Sequence, residues 1–265
     1  ERGHLAQVIT GIPNYYRQFG YDMALNLFGG RRGFEPHVPV SKEGEIEPFN
    51  FRPAGEGDVE FIVQTYDAYE SKYAISCKRT PEIIRYEMSG KSATNITRSE
   101  KMIIEDADGV PVGFFEHSID LWYGGVTCLY FALVEGVSWM AVSPGVVRYL
   151  WKKGAEYAGR DAMPSTSFGF HLGEQHPIYE VLDDKLPVAR KPYAYYVRVP
   201  DVPMFLTDIK PALEKRLAES VAAGHTAELR VSFYTNGFRM GIERGKITVI
   251  EPMRVTSGVE IDAAF

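Results

Sequence analysis

The chain has 265 residues, 45% hydrophobic and 24% charged, with a formal net charge of -6. This is ordinary globular composition at a length suited to about two domains. The acidic balance argues against a nucleic-acid surface, which needs a basic stripe, and tilts ligand preference slightly toward cations and amines. No apolar run approaches the roughly 18 residues that a membrane helix needs. The two cysteines, Cys77 and Cys128, form no CxxC pair and read as buried small hydrophobes of a cytoplasmic protein.

Residues 1–34 read as alternating strand and helix. LAQVIT (5–10) is a short apolar strand, Gly11-Ile12-Pro13 a tight junction, and Tyr15 to Phe19 about one and a half helical turns. Proline suits a first helical turn because its missing N–H is not needed there, and Gly20 suits the stop because glycine takes the left-handed cap without strain. YDMALNLF resumes as a strand. Residues 35–50 hold three prolines and little periodicity, and read as a linker.

Residues 51–200 read as one α/β unit. Asp58 starts a helix with apolar positions at Val59, Ile62, Val63 and Tyr66. Thr80 caps a short helix with Pro81 at its first position and Gly90 at its end. The stretch 102–119 is a hairpin turning at Asp108-Gly109. The apolar stretch 127–143 is a buried strand region, and 144–161 is a helix that opens on Pro144. SFGFHL (167–172) is a strand, 176–187 a short helix, and YAYYVRVP (193–200) a last strand.

Residues 201–265 change character. Phe205, Ile209, Leu213, Leu217 and Val221 recur every four residues, the stripe of one amphipathic helix. Three short strands follow, joined at Asn236-Gly237 and Arg244-Gly245, which is an antiparallel meander.

The order strand, helix, hairpin, long strand, helix, strand, short helix, strand resembles the GNAT acyltransferase fold. Tyr16-Arg17-Gln18-Phe19-Gly20-Tyr21 resembles the Tyr-x-x-x-Gly-Phe/Tyr segment of that family. The meander after Asp208 looks like the beginning of a sterol-carrier-protein-like domain. The whole succession resembles the "enhanced intracellular survival" kind of GNAT N-acetyltransferase. The expected class is therefore α/β (α+β): a mixed GNAT-like sheet flanked by helices, then the start of an α+β sterol-carrier-like domain. On that resemblance 1–34 is the end of a first GNAT domain, 51–200 a second GNAT-like domain and 201–265 part of the third, so the chain is expected to be a fragment truncated at both ends, inactive by itself and an N-acetyltransferase only within its full-length parent.

The resemblance implies acetyl transfer from acetyl-coenzyme A, as co-substrate, to a primary amine of a small molecule or protein, with no metal and with assembly as a homo-oligomer. The chemistry needs a donor for the leaving thiolate, and a tyrosine O–H is a donor at neutral pH. The family position for it is Tyr16. The alternative is that Tyr15 and Tyr16 only pack a short helix onto the sheet.

The family holds the pyrophosphate on backbone N–H groups at a helix N-terminus. In the second unit the expected junction reads Pro144-Gly145-Val146-Val147, with side chains where bare backbone is wanted. Aligning Pro177-Ile178-Tyr179 with Pro13-Asn14-Tyr15 puts Glu180 opposite Tyr16 and Asp184 opposite Gly20, so that unit is expected to be non-catalytic. His171 and His176 read as strand-end polar residues rather than metal ligands. No general base is assigned, and the carboxylate of Phe265 is given no role. The competing reading is a non-catalytic scaffold or a lipid- or ligand-binding module.

Overall fold

The computed structural model describes residues 3–41, 44, 47–73, 75–233 and 236–254. In chain order the elements are β1 (Gln7–Thr10), β2 (Asp22–Leu27), β3 (Gly30–Phe34), β4 (Asn50–Pro53), α1 (Val59–Glu70), α2 (Pro81–Arg85), β5 (Ser99–Glu105), β6 (Pro111–Ser118) and β7 (Gly125–Leu133). They continue with α3 (Trp139–Asp161), β8 (Ser167–Phe170), α4 (Ile178–Val181), β9 (Val188–Arg190), β10 (Tyr193–Arg198), α5 (Val202–Asp208), α6 (Lys210–Ala218), β11 (Ala227–Ser232), β12 (Gly237–Glu243) and β13 (Lys246–Met253). Short 3-10 turns, including Tyr15–Phe19, lie between them. The elements fall into two compact units, 26–193 and the remainder.

The 26–193 unit is built on a seven-stranded mixed sheet in the order β4-β5-β6-β7-β8-β3-β9. β4 to β7 form an antiparallel run, and β7 pairs with β8 in parallel. α3 and α4 cover one face, where Val142, Val146, Val147 and Leu150 meet Val126, Cys128, Phe168 and Phe170 in a solvent-free core. α1 and α2 cover part of the other face through Val59, Ile62, Tyr66 and Ile84 against Ile103, Phe114 and Ala132. The Asp58-started helix, the Thr80 cap, whose hydroxyl accepts from Ile83 N, and the hairpin at Asp108-Gly109 all form where the sequence places them.

Two strands sit away from their sequence neighbours. β3 inserts between β8 and β9, antiparallel to both. It fits because any side chain at Gly30 would strike the Phe170 carbonyl, and any at Gly33 the Lys185 carbonyl and the Phe168 ring. β10, the last strand expected of the 51–200 unit, instead pairs with β1. The buried Tyr196 fixes it there: its hydroxyl donates to Ile12 O (3.2 Å) and accepts from Asn14 N.

Three further expectations are corrected. α3 begins at Trp139, not at Pro144, because the Ser138 hydroxyl caps it by accepting from Ala141 N. Residues 139–143, read as the end of a buried strand, are its first turn, and Pro144 falls inside the helix. The single amphipathic helix expected after 203 is two, α5 and α6, parted at Ile209. Pro211 has no N–H to continue a helix and is tolerated only at a fresh start. Val221 is fully exposed and Cys77 is exposed, so neither packs as expected, while Cys128 is buried.

In the other unit, β1, β10 and β2 form one three-stranded sheet, and β11, β12 and β13 another. The second is the expected meander, with Phe238, Met240 and Ile247 packed against Val202, Leu206 and Leu213 of α5 and α6. Among the described residues no helix is long and apolar enough to cross a membrane.

Candidate active site

Tyr16 stands on the 3-10 turn Tyr15–Phe19, which Gly20 closes in the left-handed conformation at φ 78°. Gly20 N donates to Arg17 O (3.0 Å) and Tyr21 N to Tyr16 O (3.3 Å). These bonds close the turn as the Tyr-x-x-x-Gly spacing requires. The Tyr16 ring covers Gly11, where any side chain would collide with it. It lies 5.5 Å from the ring of Tyr196 and 5.2 Å from that of Tyr15. The neighbouring hydroxyls are committed, since Tyr21 donates to Gln7 Oε1 (3.1 Å) and Tyr196 to Ile12 O. The half-buried Tyr16 has a fixed ring and no hydrogen-bond partner for its hydroxyl among the described residues. In the same unit an open groove of about 960 Å³ runs past Gly20 and Asp22 on one side and Met204, Phe233 and Ile250 on the other. Tyr16 itself does not line it.

The second place of chemical interest is the sheet of the 26–193 unit. β7 and β8 stay paired from Gly125 and Ser167 to Cys128 and Phe170, and then separate. A cavity of about 250 Å³ opens there, lined by Tyr69, Glu70, Tyr130, Phe131, His171 and His176 among others. His176 closes its inner end. Its Nε2 lies 3.0 Å from Phe131 O and its Nδ1 accepts from Ile178 N at 3.2 Å, so Nε2 carries the proton and donates. The Trp139 and Phe131 rings flank it at 4.9 and 5.9 Å. Tyr130 donates to Glu70 Oε1 (3.1 Å). The buried hydroxyl of Tyr69 has no partner in hydrogen-bonding geometry. Tyr179, on α4, donates to Phe170 O and accepts from Leu172 N, both at 3.1 Å. Its hydroxyl is therefore spent on holding the end of β8.

Solved structures with the same architecture include a GCN5-related N-acetyltransferase from Kribbella flavida, with TM-score 0.55 and 13% identity over 97% of this chain and 58% of that one. Another, from Anabaena variabilis, gives 0.51 and 13% over 96% and 59%. A conserved protein of unknown function from Enterococcus faecalis gives 0.58 and 13% over 93% and 57%. The chain has the fold of the GNAT N-acyltransferases. It spans less than three-fifths of the length of each of these three chains. No family model and no curated protein matches it.

A GNAT fold implies an acyl-coenzyme A substrate, and the cleft between β7 and β8 does not fit one as it stands. An extended thioester arm needs free backbone groups on the exposed edge of β7, and the Phe131 carbonyl there is taken by His176. A pyrophosphate needs free N–H groups at a helix start, but Ser138 takes the Ala141 N–H. The expected coenzyme junction at Pro144-Gly145 lies within α3 rather than at a helix start. No group of three His, Cys, Asp or Glu side chains able to hold a metal occurs among the described residues. Phe265, and with it the terminal carboxylate, lies outside the described residues.

Sequence reasoning did not find the cluster of Tyr69, Glu70, Tyr130 and His176, because three separate segments supply it. The one available sign was the bulky polar run Tyr69-Glu70 at the end of an otherwise amphipathic helix.

The cluster has a pH consequence. Burial pushes the His176 imidazole down to about 4, with nearby Lys72 adding to the fall and the bond to Phe131 O opposing it. In the unfolded chain the ring titrates near 6.5, so between those values the unfolded state binds the extra proton. The stabilisation is complete above about pH 6.5 and is lost as pH falls toward 4, at about 1.4 kcal/mol per unit and about 3 kcal/mol in total. His171, lowered to about 4 by burial and by Arg190, adds in the same direction. Urea midpoints measured from pH 7.5 to 4.5 should fall steeply for the protein and about half as steeply for His176→Phe. Parallel curves would remove His176 from the account.

Proposed function

We propose that the protein takes part in N-acyl transfer from acetyl-coenzyme A to a primary amine, carried by a small molecule or a protein, with Tyr16 donating a proton to the departing thiolate. The observation that carries this reading is the Tyr16 hydroxyl, free of hydrogen-bond partners among the described residues, on a turn whose ring position is fixed by Gly11, Tyr196 and Gly20. A donor kept in place but uncommitted is what general acid catalysis needs. The GNAT fold supports the reaction class.

On this reading the neutral amine attacks the thioester carbonyl, the carbon–nitrogen bond forms as the carbon–sulfur bond breaks, Tyr16 gives its proton to sulfur, and the proton lost by the nitrogen passes through solvent to restore the Tyr16 phenol. The reading extends to the enhanced-intracellular-survival arrangement: residues 1–34 belonging to a first GNAT domain, 51–200 to a second, and 201–265 to a sterol-carrier-like domain, in a cytoplasmic homo-oligomer. The exchanged strands β3 and β10 support the tandem arrangement, since each of the first two segments lends a strand to the other's sheet. The meander β11–β13 behind α5 and α6 supports the third part.

A scaffold role is favoured for the 26–193 unit by His176 in its cleft and by the commitment of the Tyr179 hydroxyl. The test of the proposed activity is thiol release from acetyl-coenzyme A in the presence of simple primary amines, by the full-length protein to which the chain belongs on this reading. Amine-dependent release supports acyl transfer. Its absence across alkyl, aryl and lysyl amines would leave only the scaffold.

A further inference from the structure

The sheet face opposite α3 carries a feature unrelated to the chemistry above. Thr127, Gly169, Arg32 and Val188 occupy consecutive paired positions across β7, β8, β3 and β9. Successive side chains of a strand point to opposite faces, and Val126, Cys128, Phe168 and Phe170 fill the α3 side, so this row faces the other way. Gly169 leaves a dent in it. A cavity of about 250 Å³ lies there, with Trp122 and Tyr123 at its rim.

Two of its three arginines, Arg32 and Arg190, have no anionic partner among the described residues. Arg32 donates from Nη1 to the Tyr123 carbonyl (3.3 Å), and its buried Nε has no partner. Arg190 lies over the Tyr123 ring at 4.4 Å and donates to His171 Nε2 at 3.4 Å. Arg31 also borders the cavity, but its guanidinium pairs with Asp183 at 3.0 Å and lies over Tyr179. No carboxylate side chain is among the lining residues, although the chain as a whole is acidic. The rim is held at some cost: Tyr123 and Gly124 form a two-residue turn with φ 56° and 81°, a conformation that suits Asn or Gly and disfavours tyrosine. Strain of this kind concentrates at sites of recognition.

We propose that this cavity binds a small organic anion, a carboxylate or phosphate ester on a planar body. Arg32 and Arg190 grip the head group, and Trp122 and Tyr123 cover the body. Guanidinium forks match both oxyanions, and aromatic rims favour a flat partner. The site is separate from Tyr16, shares only His171 with the lining of the cleft at His176, and stands whether or not the protein transfers acyl groups.

Benzoate and phenyl phosphate, titrated calorimetrically into the full chain with benzyl alcohol as neutral control, test this. At least one anion should bind with Kd of about 1 mM or tighter, and the alcohol should not. Binding of only one identifies the head group. Arg190→Gln, an exposed substitution, should weaken binding about tenfold, the worth of one charged hydrogen bond. Gly169→Val should abolish it, since a Cβ there meets only ordinary contacts, 3.5 Å to Thr127 Oγ1 and 3.6 Å to Arg32 Cβ, and the added methyl groups fill the dent. If neither anion binds, or if Arg190→Gln binds both as tightly as the parent, the proposal is overturned.

Discussion

Replacing Lys101 with methionine should destabilise the protein by about 3–5 kcal/mol, the usual cost of stranding one buried charge of a pair. Lys101 lies on β5 with its side chain 1% exposed, 2.9 Å from Glu87 Oε2 and 3.1 Å from Glu116 Oε2. Arg79 completes the group, 2.6 Å from Glu116 Oε1 and 3.6 Å from Glu87. Two cations and two carboxylates thus cancel beneath the Tyr66 and Tyr130 rings, over which the Arg79 guanidinium lies at 4.9 and 5.3 Å. Burial alone would push the Glu116 carboxyl up. The charges of Lys101 and Arg79 outweigh it and hold the group below its ordinary value. In the parent this contribution is present above the ordinary carboxyl range and is lost as pH falls through the lowered value.

Lys101→Met reverses the balance. Arg79 then faces two carboxylates, Glu116 at 2.6 Å and Glu87 at 3.6 Å, and the excess negative charge favours uptake of a proton by the pair in the folded state, so the penalty should be largest near pH 8 and shrink toward pH 4. Adding Glu116→Leu leaves the Arg79–Glu87 pair balanced and should recover much of the loss. Chemical denaturation of the single and double variants at pH 8 and pH 5 checks this. A double variant no better than the single would show that Lys101 acts through packing rather than charge.

How much of this was legible in the sequence depended on how local the determinants are. Thr80 with Pro81, Asp58 before its apolar positions, Asp108-Gly109 and Tyr16 with Gly20 each act within a few residues, and each forms where its spacing indicates. The start of α3 was hidden because 127–143 is apolar nearly throughout, so neither a two-residue nor a 3.6-residue period stands out. Ser138, an ordinary N-cap type, was the overlooked sign. The break at Ile209 was masked by a perfect four-residue stripe that runs across Pro211.

The exchange of β3 and β10 was beyond local reading. Gly30 and Gly33 are glycines because of Phe170 and Lys185, more than a hundred residues away along the chain. Tyr196 is held by a carbonyl and an N–H at the other end of the sequence. The site divides in the same way. The turn that carries Tyr16 was readable from its spacing, whereas the cluster of His176 and Tyr69 comes together only where β7 and β8 part.

Tyr16→Phe should lower turnover by about 10²-fold, within the range for lost general acid catalysis. The substitution removes one oxygen and leaves the ring contacts with Gly11, Tyr15 and Tyr196, and the bonds that close the turn at Gly20 involve backbone alone. Because the hydroxyl makes no internal hydrogen bond among the described residues, folding stability should stay within about 0.5 kcal/mol of the parent. A role confined to packing would instead leave turnover little changed. The most direct measurement is amine-dependent thiol release from acetyl-coenzyme A by the full-length protein and by its Tyr16→Phe variant, with unfolding midpoints recorded alongside. The account predicts a hundredfold fall in kcat at little changed KM and an unmoved midpoint. Equal turnover in the two proteins would contradict it.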